Sequence, residues 1–527
     1  MRIRIRLMNR IHQVLTIGIL LALLLVGLGL YSDFGVSWDE PVQREYGRKV
    51  YEYVVDGNEE LLADRHRVYG PVFEVLLYSV ERGLGIEDSR DVYLTRHLVT
   101  FAMFGVGVAF FYLLGARILR SWKMGLLGAV FLVVSPRIFA HAFYNSKDIP
   151  FMAMFIVCMY TLLLYLDRKS SRAALLHGAC CAVLVDIRIM GVFVPAVTLI
   201  ALAYRMAAGG EAGSGRSHVA LNLAIFCGAF VPLTILLWPT LWSAPAGNFI
   251  FAFQAMRKFA WRATVLFMGE RVWSTDLPPY YTAVWILITL PVMYLVMSLA
   301  GFIAAIQGLV GRGANPALKR RDAALILLWL IAPLAFLVVS NAVLYDTWRH
   351  VFFVYPAILL LALIGLRWLV QVIGSASGGI KSKVGVAAAI LLLAVNMGGA
   401  IRFMIRSHPH QNVYFNSIVG GTRGAAGKYE MDYWGLSYRK LLESVLEKDG
   451  RSRVMVYAHN EPGFYNSFLL PAGARERLHY AEKPGDADLY ITNFRWERQD
   501  LPASAEFTSV AVDGVKLSAS YLVSGPN

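Results

Sequence analysis

Long apolar runs alternate with short polar breaks along the 527-residue chain, and the runs are too long for the helices of a water-soluble globule. A bilayer core about 30 Å thick is crossed by roughly 20 apolar residues in a helix. By that measure eleven segments predict membrane spans, at about 12–31, 95–116, 124–142, 149–166, 173–187, 190–206, 219–238, 281–310, 323–344, 350–369 and 384–401. The fifth is short and meets the sixth at Asp186-Ile-Arg188, which predicts a tight hairpin. Three stretches stay polar: 32–94, 239–280 and 402–527. In the last, Leu436 to Leu446 repeats with a helical period, and Arg453 to Ala458, Asp488 to Thr492 and Val515 to Val523 read as strands. The pattern predicts an α-helical polytopic membrane protein over 1–401, followed by a small extracytoplasmic α/β domain over 402–527. A domain of about 110 residues is large enough to bury its own core. Short Gly/Ser linkers fall near 207–217 and 374–380.

Composition agrees. Hydrophobic residues make up 57% of the chain and charged ones 16%, with a mean hydropathy of +0.52. Soluble proteins average about 25% charged residues, so a soluble or disordered chain is excluded. The formal charge of +14 admits nucleic acid, anionic lipid or topology as its cause, and the positions of the charges decide. With the N-terminus inside, the predicted cytoplasmic segments hold 19 of the 50 Lys and Arg but only three of the 36 Asp and Glu. The remainder of the chain is close to neutral, as the positive-inside rule requires. The basic excess therefore reports orientation in the cell membrane, with the C-terminus outside, and calls for no nucleic-acid partner. A basic start before an apolar run also opens a secretory signal, but the exit Gly-Leu-Tyr-Ser-Asp-Phe34 has no small-x-small cleavage site, which predicts an uncleaved first helix. All four cysteines sit in apolar runs, so neither a disulfide framework nor a paired-Cys zinc site is available.

Ionisable groups at the ends of membrane helices are costly and mark candidate sites. Five clusters fall on the predicted outer face. Ser37-Trp-Asp-Glu-Pro41 follows the first span; Ser37 and Glu40 have capping-box spacing, which explains Glu40 better than Asp39. Val42, Tyr46, Val50 and Val54 then recur every four residues, predicting a helix on the bilayer surface. Asn145-Ser-Lys-Asp-Ile-Pro150 is the turn between the third and fourth spans, and its plain reading is turn chemistry with a solvated Lys147–Asp148 pair. Asp186 and Arg188 read as a local ion pair holding a hairpin, or as a site pair. Tyr345-Asp-Thr-Trp-Arg-His350 precedes the tenth span. The 239–280 loop carries Arg257, Lys258, Arg262, Glu270 and Arg271 before Asp276-Leu-Pro-Pro-Tyr-Tyr281, residues that also serve as interfacial anchors. Carboxylates and Arg/Lys gathered at one membrane face suit chemistry on an anionic headgroup.

An acidic pair after the first span, an acid opening the fourth, a long loop closing on a Pro/aromatic motif and an Arg before a late Tyr-Pro together resemble the GT-C membrane glycosyltransferases. The nearest likeness is to glycosyltransferase family 39, the protein O-mannosyltransferases and lipid A aminoarabinose transferases, over about residues 10–370. In this resemblance Asp39 matches the catalytic acid of the first outer loop, with Glu40 beside it, and Asp148 matches the second acidic position. Phe267-Met-Gly-Glu270 and Leu277-Pro-Pro-Tyr-Tyr281, which includes Tyr280, resemble the loop motif, with Pro279 where Trp is common. Arg349-His-Val-Phe-Phe-Val-Tyr-Pro356 resembles the Arg-Tyr-x-x-Pro stretch, with His350 in place of Tyr. The resemblance implies transfer of a sugar from a polyprenyl-phosphate donor to a lipid, glycan or protein hydroxyl at the outer face, with inversion. Asp39 is then the general base, and Lys147, Arg188 and Arg349 supply positive charge to the leaving phosphate. A divalent cation bridging Asp148 is a further source of that charge. A transporter or flippase of lipid-linked sugars is the alternative, and would call for charges along a path through the bilayer and for repeated helices. Tyr429-Glu-Met-Asp-Tyr-Trp-Gly435 is distinctive but matches no motif.

Overall fold

The structure, a computed structural model, describes residues 2–207, 214–257, 261–311, 318–376, 379–497 and 501–523. The Gly/Ser linker near 207–217 lies largely outside the described residues, and the one near 374–380 in part. Among the described residues nine helices are long and apolar enough to cross a membrane, and a tenth crossing exists if one bent pair counts as a span. The protein is thus a multi-pass membrane protein. The expectation of eleven spans is corrected in two places, both for reasons readable in the backbone. Segment 173–187 is a helix, Ser171–Ile187, but only 17 residues long. Segment 281–310 is two helices, Tyr281–Thr289 and Val292–Leu309. Pro291 has no N–H and forces Leu290 into extended backbone (φ −94°, ψ 150°), so the span begins after it.

The bent pair is Trp122–Val133 and Pro136–Tyr144, broken by 69°. Pro136 sits in the first turn of the second piece, where its missing N–H costs nothing. Every residue from Pro136 to Tyr144 is buried, Arg137 and His141 included. An apolar segment that bends and dives into protein in this way can carry polar side chains at membrane depth.

The 32–94 segment is helical rather than open. Its helices Glu40–Val55 and Val72–Gly83 pack on one another and on the start of Ser89–Leu119. The expected amphipathic stripe is present in part: Tyr46 and Val50 are buried, while Val54 is half exposed. A buried guanidinium ties the group together. Arg96, 1% exposed, bonds Glu81 at 3.0 Å and also Glu74. Glu81 takes a second arginine, Arg44, at 2.8 Å, and Glu74 accepts from Ser146 Oγ at 2.5 Å.

Beyond the last span helix, which runs to Arg406, the chain returns over the helix ends. A five-stranded mixed sheet follows, in the order Leu478–Tyr480, Val454–Ala458, Leu489–Thr492, Val515–Leu522, Glu506–Val512. The first two pairings are parallel and the last two antiparallel. Helix Ser437–Lys448 covers one face through Tyr438, Leu441, Leu442 and Val445. Helix and three strands lie where the periodicity predicted them. The two remaining strands were silent: one is a three-residue edge, and the other, Glu-Phe-Thr-Ser-Val-Ala-Val, is broken by register shifts that spoil its alternation. Tyr429, Tyr433, Trp434 and Leu436 do not join the sheet's core but belong to the main core shared with the membrane helices.

Removing one partner of a buried ion network costs about 3–5 kcal/mol because the others remain charged and unpaired. Arg96→Met is therefore expected to lower the melting temperature in detergent by several degrees, and adding Glu74→Gln and Glu81→Gln should restore most of it. Scanning fluorimetry reads both.

Candidate functional site

Asp39 stands at the entrance of helix Glu40–Val55. The capping box forms by half: Ser37 N–H donates to Glu40 Oε2 at 2.7 Å, whereas Ser37 Oγ turns to the Tyr144 carbonyl at 3.2 Å. That return bond draws Glu40 away from the cavity. Its carboxylate is 2% exposed and lies 3.0 Å from His97 Nε2. The neighbouring Asp39 is left facing the other way, 39% exposed, as a lining residue of a cavity of about 400 Å³.

Asp148 opens helix Asp148–Arg168 and is 1% exposed. Its Oδ1 takes Arg188, and its Oδ2 accepts from Asn145 Nδ2 at 3.0 Å and lies 3.4 Å from Arg349. Arg188 thus reaches back to the preceding helix and not to Asp186 two residues away, which corrects the local hairpin pair. Behind Asp148 runs a chain of hydrogen bonds. The same Asn145 amide donates to His141 Nδ1 at 3.0 Å, so the neutral imidazole carries its proton on Nε2, 3.2 Å from the Tyr433 hydroxyl. Tyr433 in turn lies 3.5 Å from Thr347 Oγ1.

Arg349 is the hub. Its guanidinium, 3% exposed, contacts Asp39 at 3.2 Å, Asp148 at 3.4 Å and Asp346 at 3.6 Å. It lies over the rings of Trp434 (4.7 Å) and Tyr345 (5.0 Å). Asp346 is shared with Arg495 at 2.5 Å. Burial raises the Asp346 pKa while the two guanidiniums oppose the shift. Both Asp346 and the next residue, Thr347, have positive φ (53° and 72°), which turns the chain sharply so that Asp346 and Arg349 face each other.

Lys147 completes the cationic wall. It lines the cavity beside Arg188, Arg349 and His350. Its Nζ lies 3.1 Å from the centre of the Tyr69 ring, and among the described residues no carboxylate is within ion-pair distance of it. Gly70, next to Tyr69, presses against the Asp186 carbonyl so closely that a Cβ would fall 1.9 Å from that oxygen. Burial, and then the charge of Arg188, bring the Lys147 pKa down to about 7.

Of the remaining expected residues, Asp186 is buried and does not line the cavity, and its carboxylate oxygens have no hydrogen-bond partner among the described residues. Glu270 projects from a hairpin, Thr264–Phe267 with Glu270–Trp273, and is exposed. Tyr280 is exposed as well, and Tyr281 is buried, accepting from the Thr347 N–H at 3.1 Å. None of the four lines the cavity. A divalent cation does not fit at Asp148. Both of its oxygens are engaged by guanidinium or amide groups, and among the described residues no three His, Cys, Asp or Glu are grouped to hold a metal ion. Sequence reasoning passed over Tyr69, Arg495 and Trp496, all lining residues, and marked Asp346 only as a member of the Tyr345–His350 cluster. The Tyr429–Gly435 motif was a signal for Tyr433 and Trp434, since so many aromatic and polar residues in a segment beyond the last span needed a use.

No family model matches the chain. A stretch of 75 residues, 14% of this chain and 8% of the relative, is 39% identical to dolichyl-phosphooligosaccharide-protein glycotransferase 1 of Pyrococcus horikoshii. Among solved structures the chain is similar to ArnT from Cupriavidus metallidurans, with 13% identity over 98% of this chain and 99% of that one and a TM-score of 0.49. It is also similar to the Archaeoglobus fulgidus oligosaccharyltransferase, with 10% identity over 90% of this chain and 65% of that one and a TM-score of 0.51. The chain therefore spans under two thirds of that oligosaccharyltransferase. The last likeness is one of fold, and the fold is GT-C, as the ordered motifs implied.

A lysine with a pKa near 7 is neutral at pH 7.5 in far greater proportion than an ordinary lysine near 10.4. An acylating reagent at that pH, read by peptide mass spectrometry, is expected to modify Lys147 ahead of the exposed lysines of the C-terminal sheet.

Proposed function

We propose that this GT-C-fold membrane protein transfers a sugar from a polyprenyl-phosphate donor to an acceptor hydroxyl at the outer face of the membrane. The observation that carries the reading is the charge arrangement of the cavity. Asp39, Asp148 and Asp346 are matched by Arg188, Arg349 and Arg495, and among the described residues Lys147 has no carboxylate at ion-pair distance. A phosphate is the anion that such a wall suits, since guanidiniums and an ammonium bind it by charge-assisted hydrogen bonds. Beside the cavity lies an apolar groove of about 990 Å³ that shares Leu337, Ala342 and Leu344 with it, a place for the carrier chain next to its phosphate. The short Pyrococcus horikoshii match is to a protein named for a dolichyl-linked donor, in line with this reading.

Among the carboxylates that Arg349 contacts Asp39 is the accessible one, while Asp148 is wholly engaged. Asp39 takes the proton of the acceptor hydroxyl as its oxygen attacks the anomeric carbon from the side opposite the phosphate. The bond from that carbon to the phosphate oxygen breaks, and its electron pair leaves on the phosphate, so the anomeric configuration inverts. The leaving group is a weak base and needs no proton. Lys147, Arg188 and Arg349 stabilise the charge that it gains. Asp148 acts by holding Arg188 and Arg349 in place.

The expected result for Asp39→Asn is a loss of transfer of about 10²- to 10⁴-fold, the usual worth of a general base, with no loss of affinity for undecaprenyl phosphate. Mass spectrometry of glycolipids and glycoproteins from cells with and without the intact protein would identify the product. Lys147 must be protonated to hold phosphate, so donor affinity should weaken as pH rises through about 7 and toward 9. Lys147→Met should weaken donor binding at pH 6 by tenfold or more and flatten that dependence; an unchanged pH profile in this variant would remove Lys147 from the phosphate site. Orientation is tested by Gly450→Cys, an exposed position in the C-terminal region. A membrane-impermeant maleimide should label it in intact spheroplasts, and labelling only after lysis would reverse the topology.

A further inference from the structure

Three of the chain's twelve tryptophans, from segments more than 200 residues apart, meet in the wall of the cavity. Trp38 and Trp496 are edge to face with centroids 5.7 Å apart, and Trp496 and Trp261 are at 6.4 Å. Trp261 stacks on Tyr345 at 4.3 Å and 18°. Unlike Trp238, Trp285, Trp329, Trp348 and Trp434, which are fully buried, these three are only half buried and border open space. Tryptophans that anchor a protein in a bilayer face outward into the headgroups, whereas these face an inner cavity next to a carboxylate.

The patch is held with some effort. Phe494 and Trp496 both adopt φ of +61°, a conformation that costs an aromatic residue energy and persists only where surroundings enforce it. The enforcement is visible. Trp496 Nε1–H donates to the Thr264 carbonyl at 2.8 Å, and Arg495 donates to the Tyr433 carbonyl at 2.6 Å and to Asp346 at 2.5 Å. Behind the loop, the Tyr490 hydroxyl donates to Glu497 at 2.6 Å and lies 2.7 Å from His459 Nδ1, whose Nε2 is 3.2 Å from the Arg495 carbonyl. The Arg495 guanidinium lies over both Trp38 and Trp496, at 5.4 and 4.3 Å. Fixed aromatic faces with carboxylates at the rim, here Asp39 and Glu461, match a pyranose ring, which offers a face of C–H bonds and an edge of hydroxyls.

We propose, resting on the reading of the site given above, that the Trp38–Trp261–Trp496 patch seats a pyranose ring of the acceptor, so that the acceptor is a carbohydrate. Trp38 and Asp39 are adjacent in the chain, and a hydroxyl of a ring on this patch is presented to the base. Of the phosphate-binding groups, Lys147 and Arg188 lie outside the patch, while Arg349 meets it at Tyr345 and Asp39, so the donor and acceptor walls join at the base. A peptide would need backbone partners, and a lipid acceptor an unbroken apolar surface; the patch with its acidic rim offers neither.

The test uses the full chain in nanodiscs and saturation-transfer NMR with three probes, chitotriose, mannotriose and a Ser/Thr-rich octapeptide, with undecaprenyl phosphate binding measured in parallel. At least one saccharide is expected to show transfer to its ring C–H protons. Trp496→Ala and Trp261→Ala should each cut that signal more than fivefold, Trp496→Phe should keep most of it, and undecaprenyl phosphate affinity should change by less than twofold throughout. Silent saccharides, signals indifferent to both Ala variants, or a Trp-dependent signal from the peptide would overturn the carbohydrate assignment while leaving the donor reading intact. Failure of the unmodified protein to bind undecaprenyl phosphate would remove both.

Discussion

One buried guanidinium organises the end of the protein that holds the cavity. Arg349 belongs to one helix end, yet its three carboxylates come from the turn after the first helix (Asp39), the start of the Asp148–Arg168 helix and its own preceding turn (Asp346). Taking these charges out of water is expensive, and the cost is met only while all of them stay together with good geometry. The arrangement therefore acts as a conformational lock on three elements that the membrane alone would leave free to tilt. It also distributes the charges: Asp148 is engaged by both arginines, Asp39 stays partly exposed, and among the described residues no carboxylate pairs with Lys147.

The segment after the last span takes part in this lock. Trp434 lies under Arg349, Tyr433 ends the hydrogen-bonded chain through His141 and Asn145 to Asp148, and Arg495 shares Asp346. The broken helix makes the chain possible, since its 69° bend at Pro136 lowers His141 into protein beside Asn145. Membrane helices supply the charges, and the following segment supplies the aromatic floor and second partners.

Much of this was legible in the sequence, and the failures have physical causes. Apolar length located most spans, because lipid leaves so few alternatives. It misjudged 281–310, where composition stays apolar while Pro291 breaks the ladder. Asp39, Asp148, Lys147, Arg188 and Arg349 were picked out as ionisable groups at helix ends, and all five line or back one cavity. Glu40 was chosen as a neighbour of Asp39, but adjacent residues on a helix start point in different directions, and its capping bond to Ser37 already explained it. Asp186 and Arg188 looked like partners by proximity, and the tertiary fold gave Arg188 to Asp148. Arg495 and Trp496 could not be found, since a loop after an ordinary strand carries no mark of what it will touch.

The turn that presents Asp39 has one more property. Arg439 donates to the Phe34 carbonyl at 2.8 Å, and Asn466 brackets Val36, accepting from its N–H at 3.0 Å and donating to its carbonyl at 3.1 Å. These contacts span about 400 residues of chain. Every membrane helix after the first lies between the Asp39 turn and the residues that clasp it. A chain cut between residues 407 and 438 would keep Lys147, Arg188 and Arg349 while leaving the turn without both Arg439 and Asn466. The position of Asp39 is therefore a property of the chain folded as a whole and of no single hairpin within it.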